Sequence, residues 1–262
     1  MKILQVLNRG IVLTITLLLA LPAFAQGTKA ELLLYCGITM VRPMTEIAQV
    51  FEKRENVKIN IAQGGSEDLF QSAKKSGAGD WYLPGEPSYY QLHLKAGQFG
   101  EYVTVGYNQM ALMVQKGNPK GVKPDPKEML RRDLVAIIGN AESGSVGKEA
   151  KAILDQLGIY PKVIRQAAFL APDSRSLVNA MKKGEGDIAM NWRAVGFFPD
   201  NASKIDVVDL DPKLAKPQAL LLVQLKSSKH PELAKRFMNY TASEEGQAIF
   251  RKHGFLDNKA VK

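Results

Sequence analysis

Reactive and redox-active side chains are scarce in this chain of 262 residues. Cys36 is the single cysteine, which excludes a disulfide bond within one chain. The three histidines, His93, His230 and His253, lie far apart in the sequence and match no metal-ligand spacing. We therefore expect neither a bound metal ion nor a cofactor.

Motifs typical of enzymes are also missing from the sequence. No Gly-x-Ser-x-Gly nucleophile motif occurs. The segment Gly144-Ser145-Val146-Gly147-Lys148 is similar to a phosphate-binding loop, but its glycines are too close together and no Ser or Thr follows the lysine. The sequence does not exclude a pair of catalytic carboxylates of the glycosidase type, because any two acidic residues can meet in the folded chain. The sequence therefore favours a binding protein over an enzyme.

One long apolar run is present, and it lies near the N-terminus. Lys2 and Arg9 precede the run from Ile11 to Leu21, and Ala23-Phe24-Ala25 has the small-x-small pattern that signal peptidase cleaves. The run is shorter than the ~20 residues that span a bilayer, which disfavours the alternative of an uncleaved anchor. No cysteine follows for lipid attachment. We expect residues 1–25 to be a signal peptide, with cleavage after Ala25 and export to the periplasm.

The charge balance favours anionic partners. The formal charge is +9, and removal of Lys2 and Arg9 with the leader lowers it to +7. A net positive charge attracts anionic solutes in general. The lysines are scattered and not clustered, so we expect no binding to nucleic acid. We expect the exported chain to be a monomer.

Strand-like and helix-like segments alternate along the mature chain. The spacing of Met40, Met44, Ile47 and Phe51 predicts an amphipathic helix. Apolar segments predict strands at Leu32–Tyr35, Val57–Ile61, Val103–Val114 (as two strands), Leu134–Ile138, Ile188–Met190 and Leu220–Leu225. Ser66, Asp173 and Ser243 are predicted helix caps. This alternation predicts an α/β fold with mostly parallel sheets.

Small and hydroxyl residues occupy four predicted strand-to-helix junctions. The junctions are Cys36-Gly37-Ile38-Thr39, Gln63-Gly64-Gly65-Ser66, Gly144-Ser145-Val146-Gly147 and Pro172-Asp173-Ser174. Helix starts present unpaired N–H groups and a partial positive charge. Glycine permits close approach of the backbone, and Ser or Thr adds a hydroxyl donor. Each junction alone is consistent with an ordinary cap, but together they predict an anion site without formal charge.

The chain resembles the periplasmic molybdate-binding protein family, which belongs to the type II solute-binding proteins of ABC transporters. The resemblance extends from Leu32 to about Phe255 and is clearest in Thr39–Phe51, Gly147–Gly158 and Glu245–Phe255. It implies two lobes joined by a hinge, each with a central sheet flanked by helices, and a ligand cleft between them. The first lobe is expected to comprise residues 26–105 and 218–262, and the second residues 106–217.

The resemblance also implies a set of ligand-binding residues. Thr39 and Ser66 lie where the family has its two hydroxyl ligands, and Val146 and Ser174 lie where it has backbone amide donors. Trp192 lies where the family has a tyrosine. The further candidates are Cys36, Gly65, Gly147 and Arg193. The implied function is to capture a molybdate-like or tungstate-like oxyanion and pass it to a membrane permease.

Several departures from the family pattern leave the ligand open. Glu67 and Asp68 stand in the first turn after Ser66, and either can accept a proton from a phosphate-like anion. Cys36 replaces a small alanine and would suit arsenite or a soft metal ion. A periplasmic sensor subunit that signals to a membrane kinase would have the same fold and cleft, so the transport role also has an alternative.

Overall fold

The computed structural model describes residues 29–257, in which ten strands form two sheets. The strands are β1 (Glu31–Gly37), β2 (Lys58–Gly64), β3 (Trp81–Leu83), β4 (Phe99–Asn108), β5 (Met110–Gln115), β6 (Ala136–Gly139), β7 (Leu170–Ala171), β8 (Ile188–Trp192), β9 (Ile205–Asp209) and β10 (Gln218–Leu225). The first sheet has the order β2-β1-β3-β10-β4 and the second β7-β6-β8-β5-β9. We call each sheet, with the helices packed on it, a lobe.

Ten α-helices flank the sheets in the described range. They are α1 (Val41–Glu55), α2 (Ser66–Ser76), α3 (Ser88–His93), α4 (Ser145–Gln156), α5 (Tyr160–Gln166), α6 (Ser174–Lys182), α7 (Arg193–Gly196), α8 (Pro199–Ala202), α9 (Pro231–Ala242) and α10 (Glu244–Lys252). Short 3-10 segments occur at Ile38–Met40, Leu94–Ala96 and Pro126–Leu130. Within residues 29–257, no helix is both long and apolar enough to cross a bilayer.

The predicted two-lobed α/β fold is confirmed, but the sheets are mixed. In the first sheet β1 pairs parallel with β2 and β3, while β10 pairs antiparallel with β3 and β4. The second sheet repeats this division, with β6 in the parallel pairs and β5 in the antiparallel ones. The prediction of mostly parallel sheets is therefore wrong. Buried strands have the same apolar pattern in either direction, so the sequence does not reveal which way the strands joining the two sheets run.

Helix starts follow the predicted chemistry with one difference. The Asp173 carboxylate accepts the Ser176 N–H at 2.7 Å, so the predicted cap of α6 is confirmed. The Ser243 hydroxyl likewise caps α10. Ser66, by contrast, is the first helical residue of α2, and Gly65 is the cap. The Ser66 hydroxyl is therefore not used to cap its helix.

Aromatic packing fixes β3, whose carboxyl end leads into the cleft. On one face of the first sheet Trp81 packs on Phe237, with ring centroids 4.5 Å apart. On the other face Tyr82 stacks on Phe99 at 5.8 Å. Trp81 and Tyr82 have no exposed surface. Burying a large side chain contributes about 1.5–3 kcal/mol, so β3 is held firmly from both sides.

The chain passes between the two sheets at two places in the described range, β4 to β5 and β9 to β10. At the first, the Asn108 side-chain carbonyl accepts the N–H groups of Gln109 (3.0 Å) and Ala194 (3.2 Å). The side-chain NH₂ of Gln109 in turn donates to the carbonyl of Leu210, which lies in the second crossing, over a distance of 3.2 Å. The two segments that cross between the sheets are therefore hydrogen-bonded to each other.

Candidate functional site

A cavity of about 20 Å³ lies between the two sheets, where their parallel strands end. β1 and β2 end side by side at Gly37 and Gly64, and β6 and β7 end side by side at Gly139 and Ala171. The lining residues are Gly37, Ile38, Thr39, Gly64, Gly65, Ser66, Gly85, Gly144, Ser145, Val146, Asp173 and Ser174. All four junctions singled out in the sequence contribute to this wall. Ligands of α/β proteins bind at this edge of the sheet.

Five of the predicted residues line the cavity: Thr39, Gly65, Ser66, Val146 and Ser174. Three of these carry hydroxyl groups: Thr39 and Ser66 belong to the first lobe, and Ser174 belongs to the second. Each of the three is no more than 5% exposed. The structure thus brings together side chains that are far apart in the sequence.

Hydroxyl groups in the wall are arranged to donate. The Ser66 hydroxyl oxygen accepts the Gly85 N–H at 3.0 Å, and the Ser145 hydroxyl oxygen accepts the indole N–H of Trp192 at 3.2 Å. An oxygen that accepts from an N–H keeps its own proton for another acceptor. Thr39 has no side-chain hydrogen-bond partner among residues 29–257. Three hydroxyl protons are therefore available at the cavity.

Backbone amides at helix starts supply further donors. α4 begins after Gly144 and α2 after Gly65, and neither glycine can cap its helix with a side chain. The first N–H groups of a helix have no partner within it and carry part of the positive end of the helix dipole. At α6 the Asp173 carboxylate takes the third amide, which leaves the Ser174 amide for a ligand. Three helix starts therefore meet at the cavity.

Ser174 is held in place by a neighbouring amide. Its hydroxyl donates to the Asn191 side-chain carbonyl at 2.6 Å, and the Asn191 side-chain NH₂ donates to the Ser174 carbonyl at 3.0 Å. The backbone N–H of Trp192 donates to the same Asn191 oxygen at 2.8 Å. The Ser174 hydroxyl is thus occupied, and the backbone N–H is the donor that Ser174 has left; its role as an amide ligand, which the family resemblance implies, stays a prediction.

Negative charge at the wall is limited. Asp173 is the single acid among the lining residues. The Glu67 carboxylate points elsewhere, because it accepts from Gln71 at 2.6 Å and contacts the His93 ring at 2.8 Å. Burial alone would raise the pKa of the Glu67 carboxyl group. Its hydrogen bonds to Gln71 and His93 together outweigh this effect, so the pKa is lowered overall. Asp68 does not line the cavity either. The Asp68 carboxylate nevertheless lies beside the wall, because one of its oxygens would be 3.4 Å from a Cβ added at the lining residue Gly65.

Four predicted residues do not line the cavity: Trp192, Cys36, Gly147 and Arg193. Trp192 lies one side chain behind the wall, where its indole N–H is used by Ser145. The Arg193 guanidinium pairs with Asp209 at 2.8 Å and donates to a backbone carbonyl of the first lobe at 3.2 Å. Gly147 packs so closely that an added Cβ would lie 2.2 Å from a backbone oxygen in the β6–α4 loop. All four residues therefore lie outside the cavity wall.

Seven of the twelve lining residues, among them Ser145 and Gly85, were not predicted as ligand-binding residues. Ser145 is a hydroxyl residue in the first helical position after a glycine, and that pattern was the available signal. Gly85 follows β3 in a Pro-Gly turn. A Cβ added at Gly85 would lie 2.2 Å from the Ser145 hydroxyl oxygen in the other lobe. No local pattern marks such a contact, because it depends on how the lobes meet.

Cys36 is expected to be dispensable for binding. Its side chain is fully buried, its sulfur lies 3.5 Å from the Gly37 carbonyl oxygen, and it does not line the cavity. Burial raises the pKa of the Cys36 thiol, so the thiolate does not form at neutral pH. We predict that Cys36→Ser keeps the wild-type affinity in calorimetry, and that the native thiol reacts with a disulfide reagent only after unfolding. Loss of binding in Cys36→Ser, with an unchanged melting temperature, would assign the thiol to the ligand.

A family model described as bacterial extracellular solute-binding protein matches residues 32–256. A Haemophilus influenzae protein described as a binding protein is 24% identical over 233 residues, which are 88% of this chain and 92% of that one. A Bacillus subtilis protein described as an ABC transporter substrate-binding lipoprotein is 22% identical over 216 residues, which are 81% of each chain. The similarity therefore extends over nearly the whole described range.

Solved structures give the same fold. A substrate-binding domain from Clostridium difficile, described as that of a molybdenum ABC transporter, superposes with a TM-score of 0.68 at 22% identity, covering 87% of this chain and 99% of that one. Chains described as binding sulfate, molybdate, iron or thiamin superpose with TM-scores of 0.66 to 0.75 at 14% to 17% identity. At such identities the likeness establishes the fold and leaves the ligand open.

Proposed function

The chain belongs to the bacterial extracellular solute-binding protein family, and on that premise we propose that it captures a small tetrahedral oxyanion for an ABC importer. Sulfate, molybdate and tungstate are the candidate ligands. The observation that carries the proposal is the cavity, in which neutral O–H and N–H donors converge from both lobes.

The size of the cavity supports a compact ligand. Its volume of about 20 Å³ exceeds the roughly 10–15 Å³ that a single water molecule needs. This is room for little more than one water molecule, so even a tetrahedral oxyanion needs the lobes to part slightly, and a molecule of several rings needs them to part much further. A thiamin-sized ligand is therefore disfavoured.

The donors match an anion that carries no proton. An anion that leaves water must regain its hydrogen bonds from the protein, or burial becomes very costly. Each hydrogen bond to a charged group contributes about 1.5–3 kcal/mol. The hydroxyls of Thr39, Ser66 and Ser145 and the amides of Val146 and Ser174 are all donors. A wall of this kind favours a fully ionised oxyanion over a protonated one.

Asp173 is the one feature that favours a protonated anion such as hydrogen phosphate. Its carboxylate lines the cavity, and one of its oxygens is occupied by the α6 amide. The other oxygen can accept a ligand proton if the ligand approaches from that side. Phosphate therefore belongs in any ligand screen as the second candidate.

Thiophilic ligands and metal ions have less support. Cys36 is buried behind the wall. Within residues 29–257, no cluster of three or more His, Cys, Asp or Glu side chains is arranged to hold a metal ion. We therefore expect arsenite and iron not to bind, and both serve as negative controls in a ligand screen.

A thermal-shift panel of the refolded chain tests the proposed ligand class. A ligand present at about 100 times its dissociation constant adds roughly 2.7 kcal/mol to the free energy of unfolding. We expect sulfate, molybdate or tungstate to raise the melting temperature, and iron, arsenite and thiamin to leave it unchanged. Stabilisation by one of the latter three alone would refute the proposal.

Uptake and signalling need a test in cells. The proposed partner is the membrane permease of an ABC transporter, and the proposed compartment is the periplasm after cleavage behind Ala25. The leader lies outside the described residues. Deletion of the gene should abolish uptake of the labelled anion if the role is transport. Normal uptake with loss of an anion-dependent transcriptional response would favour the sensor subunit.

The lobe boundaries after residues 105 and 217, and the monomeric state, also stay predictions.

A clasp across the cleft supports closure around the ligand. The Lys148 amino group, on α4 of the second lobe, hydrogen-bonds the Ser88 hydroxyl of the first lobe and lies 3.4 Å from the buried Glu86 carboxylate. The same amino group lies 4.6 Å from the centroid of the Tyr89 ring. These contacts form only when the lobes are together. Lys148 also lies in the helix whose first amides border the cavity.

Lys148→Met is therefore expected to accelerate ligand dissociation. Ion pairs of this kind contribute about 0.2–1 kcal/mol and a cation–π contact about 0.5–1 kcal/mol, so we expect dissociation to become roughly 3- to 30-fold faster. Stopped-flow displacement measures this rate. Lys151→Met is the matched control, because Lys151 lies one turn further along α4 and pairs with Asp155 inside its own lobe. Equal rates in wild type and Lys148→Met would show that the clasp does not hold the closed form.

A further inference from the structure

A groove of about 150 Å³ opens beside the cavity. Ile38, Thr39 and Ser174 line both spaces, so the groove and the cavity are continuous. From this shared edge the groove runs along α6, because Ser174, Val178 and Lys182 all line it and are spaced four residues apart. A bound oxyanion would therefore have one side facing the groove.

Positive charge dominates this groove. Arg42, Arg175 and Lys182 line it, together with a single acid, Asp200. Arg42 is bound to Asp200 and lies over the Phe198 ring. The remaining two cations have no carboxylate within 4.0 Å among residues 29–257. The groove therefore has an excess of two positive charges, although the pKa of the Asp200 carboxyl group is lowered by Arg42 and also, more weakly, by Lys182, which lies close to it.

The side chains of these two cations are held by neutral groups. The Arg175 guanidinium donates one bond to the Gln63 side-chain carbonyl at 2.8 Å, which leaves its other N–H groups available. The Lys182 amino group lies 3.3 Å from the Asn201 side-chain oxygen. Side chains on a helix lean towards its N-terminus, which for Lys182 is the direction of the cavity. Both cations are thus oriented before any ligand arrives.

We propose that this groove is a subsite for a carboxylate carried on the oxyanion ligand. The oxyanion group, a sulfonate or phosphonate, occupies the cavity, and a short chain leads through the shared edge at Thr39 and Ser174 into the groove. There Arg175 and Lys182 bind the carboxylate. The ligand class is therefore small organic acids with a tetrahedral oxyanion at the other end. This inference rests on the proposed oxyanion function and specifies its substrate class.

Matched ligand pairs test the subsite by calorimetry. Sulfoacetate and isethionate carry the same sulfonate but end in a carboxylate and a hydroxymethyl group, respectively. Phosphonoacetate and hydroxyethylphosphonate form the corresponding phosphonate pair. We expect the carboxylate member of the better-bound pair to bind wild-type protein about tenfold more tightly, as a charge-assisted contact provides. The advantage should shrink with added salt, because the groove is open to solvent.

Charge-removing variants locate the effect. Arg175→Met and Lys182→Met should each lower the carboxylate advantage at least about threefold, while binding of inorganic sulfate or molybdate changes much less. Lys183→Met is the control, because Lys183 is the next residue, carries the same charge and points to solvent beside Glu185. It should leave the advantage unchanged.

Two results would overturn the inference. Equal affinity within both pairs would do so, as would an advantage that Arg175→Met and Lys182→Met leave intact. If these variants only slow the association of every anion, the groove attracts ligands without binding a carboxylate, and the subsite is refuted. Absence of binding by all oxyanions, inorganic ones included, would instead overturn the proposed function itself.

Discussion

Replacing Gly85 by alanine is expected to weaken oxyanion binding about 5- to 150-fold, the range that corresponds to 1–3 kcal/mol of overpacking. An added Cβ would lie 2.2 Å from the Ser145 hydroxyl oxygen and 3.0 Å from its Cβ. Gly85 belongs to the first lobe and Ser145 to the second, so the overlap exists only when the lobes close. Separated lobes avoid the overlap, so the unliganded protein should fold normally. Calorimetry gives the affinity, and the melting temperature without ligand checks folding.

The matched control for Gly85→Ala is Gly100→Ala. Gly100 lies in β4, and a Cβ there would meet its nearest neighbour, the Gln224 carbonyl in the same sheet, at an ordinary 3.4 Å. This variant should bind like wild type. If Gly85→Ala also binds like wild type, the lobes do not close in the observed manner and the contact between Gly85 and Ser145 has no role in binding.

The second large effect is expected from the hydroxyls of the first lobe. Thr39→Ala and Ser66→Ala should each cost about 1.5–3 kcal/mol of binding free energy, as for a hydrogen bond to a charged group. Ser66→Ala should be the more damaging of the two. It also leaves the Gly85 N–H without the acceptor that it has at 3.0 Å. Thr39 has no protein partner to lose among the described residues, so its effect reports on the ligand alone.

Surface hydroxyls on α2 and on α1, the helix that follows the 3-10 segment of Thr39, provide the controls. Ser72→Ala on α2 removes a hydroxyl that donates to the Asp68 carbonyl, and Thr45→Ala on α1 removes one that donates to the Val41 carbonyl. Both are exposed, and neither lines the cavity. Both variants should keep the wild-type affinity. Unchanged affinity in Thr39→Ala and Ser66→Ala as well would reject the transfer of ligand roles from the family pattern.

The sequence predicted the elements that have strong local signals. The apolar spacing along α1, the capping carboxylate of α6 and the glycine-rich junctions at Gly65 and Gly144 all correspond to features of the structure. The junctions could be combined into one site because strand ends meet at one edge of a sheet. This reasoning needs no knowledge of distances. It therefore identified the lining residues better than their individual roles.

Features that depend on tertiary contact were out of reach of the sequence. Trp192 was expected to contact the ligand from its place in the family pattern, but a tryptophan is larger than a tyrosine, and Ser145 lies between its indole and the cavity. The short strands β3 and β7 have too few residues to show a period. The position of Gly85 depends on the aromatic packing of β3 and on how the lobes meet. Each of these is decided by side-chain volumes across the fold.

Anomalous diffraction from crystals of the mature chain grown with molybdate or selenate tests the central claim most directly. Both anions scatter anomalously and are tetrahedral, so they locate the site without reference to the protein density. The account predicts a single strong peak in the cavity, within hydrogen-bonding distance of the Thr39, Ser66 and Ser145 hydroxyls and the Val146 and Ser174 amides. A peak confined to the groove beside α6, or an empty cavity between closed lobes at saturating anion, would contradict it.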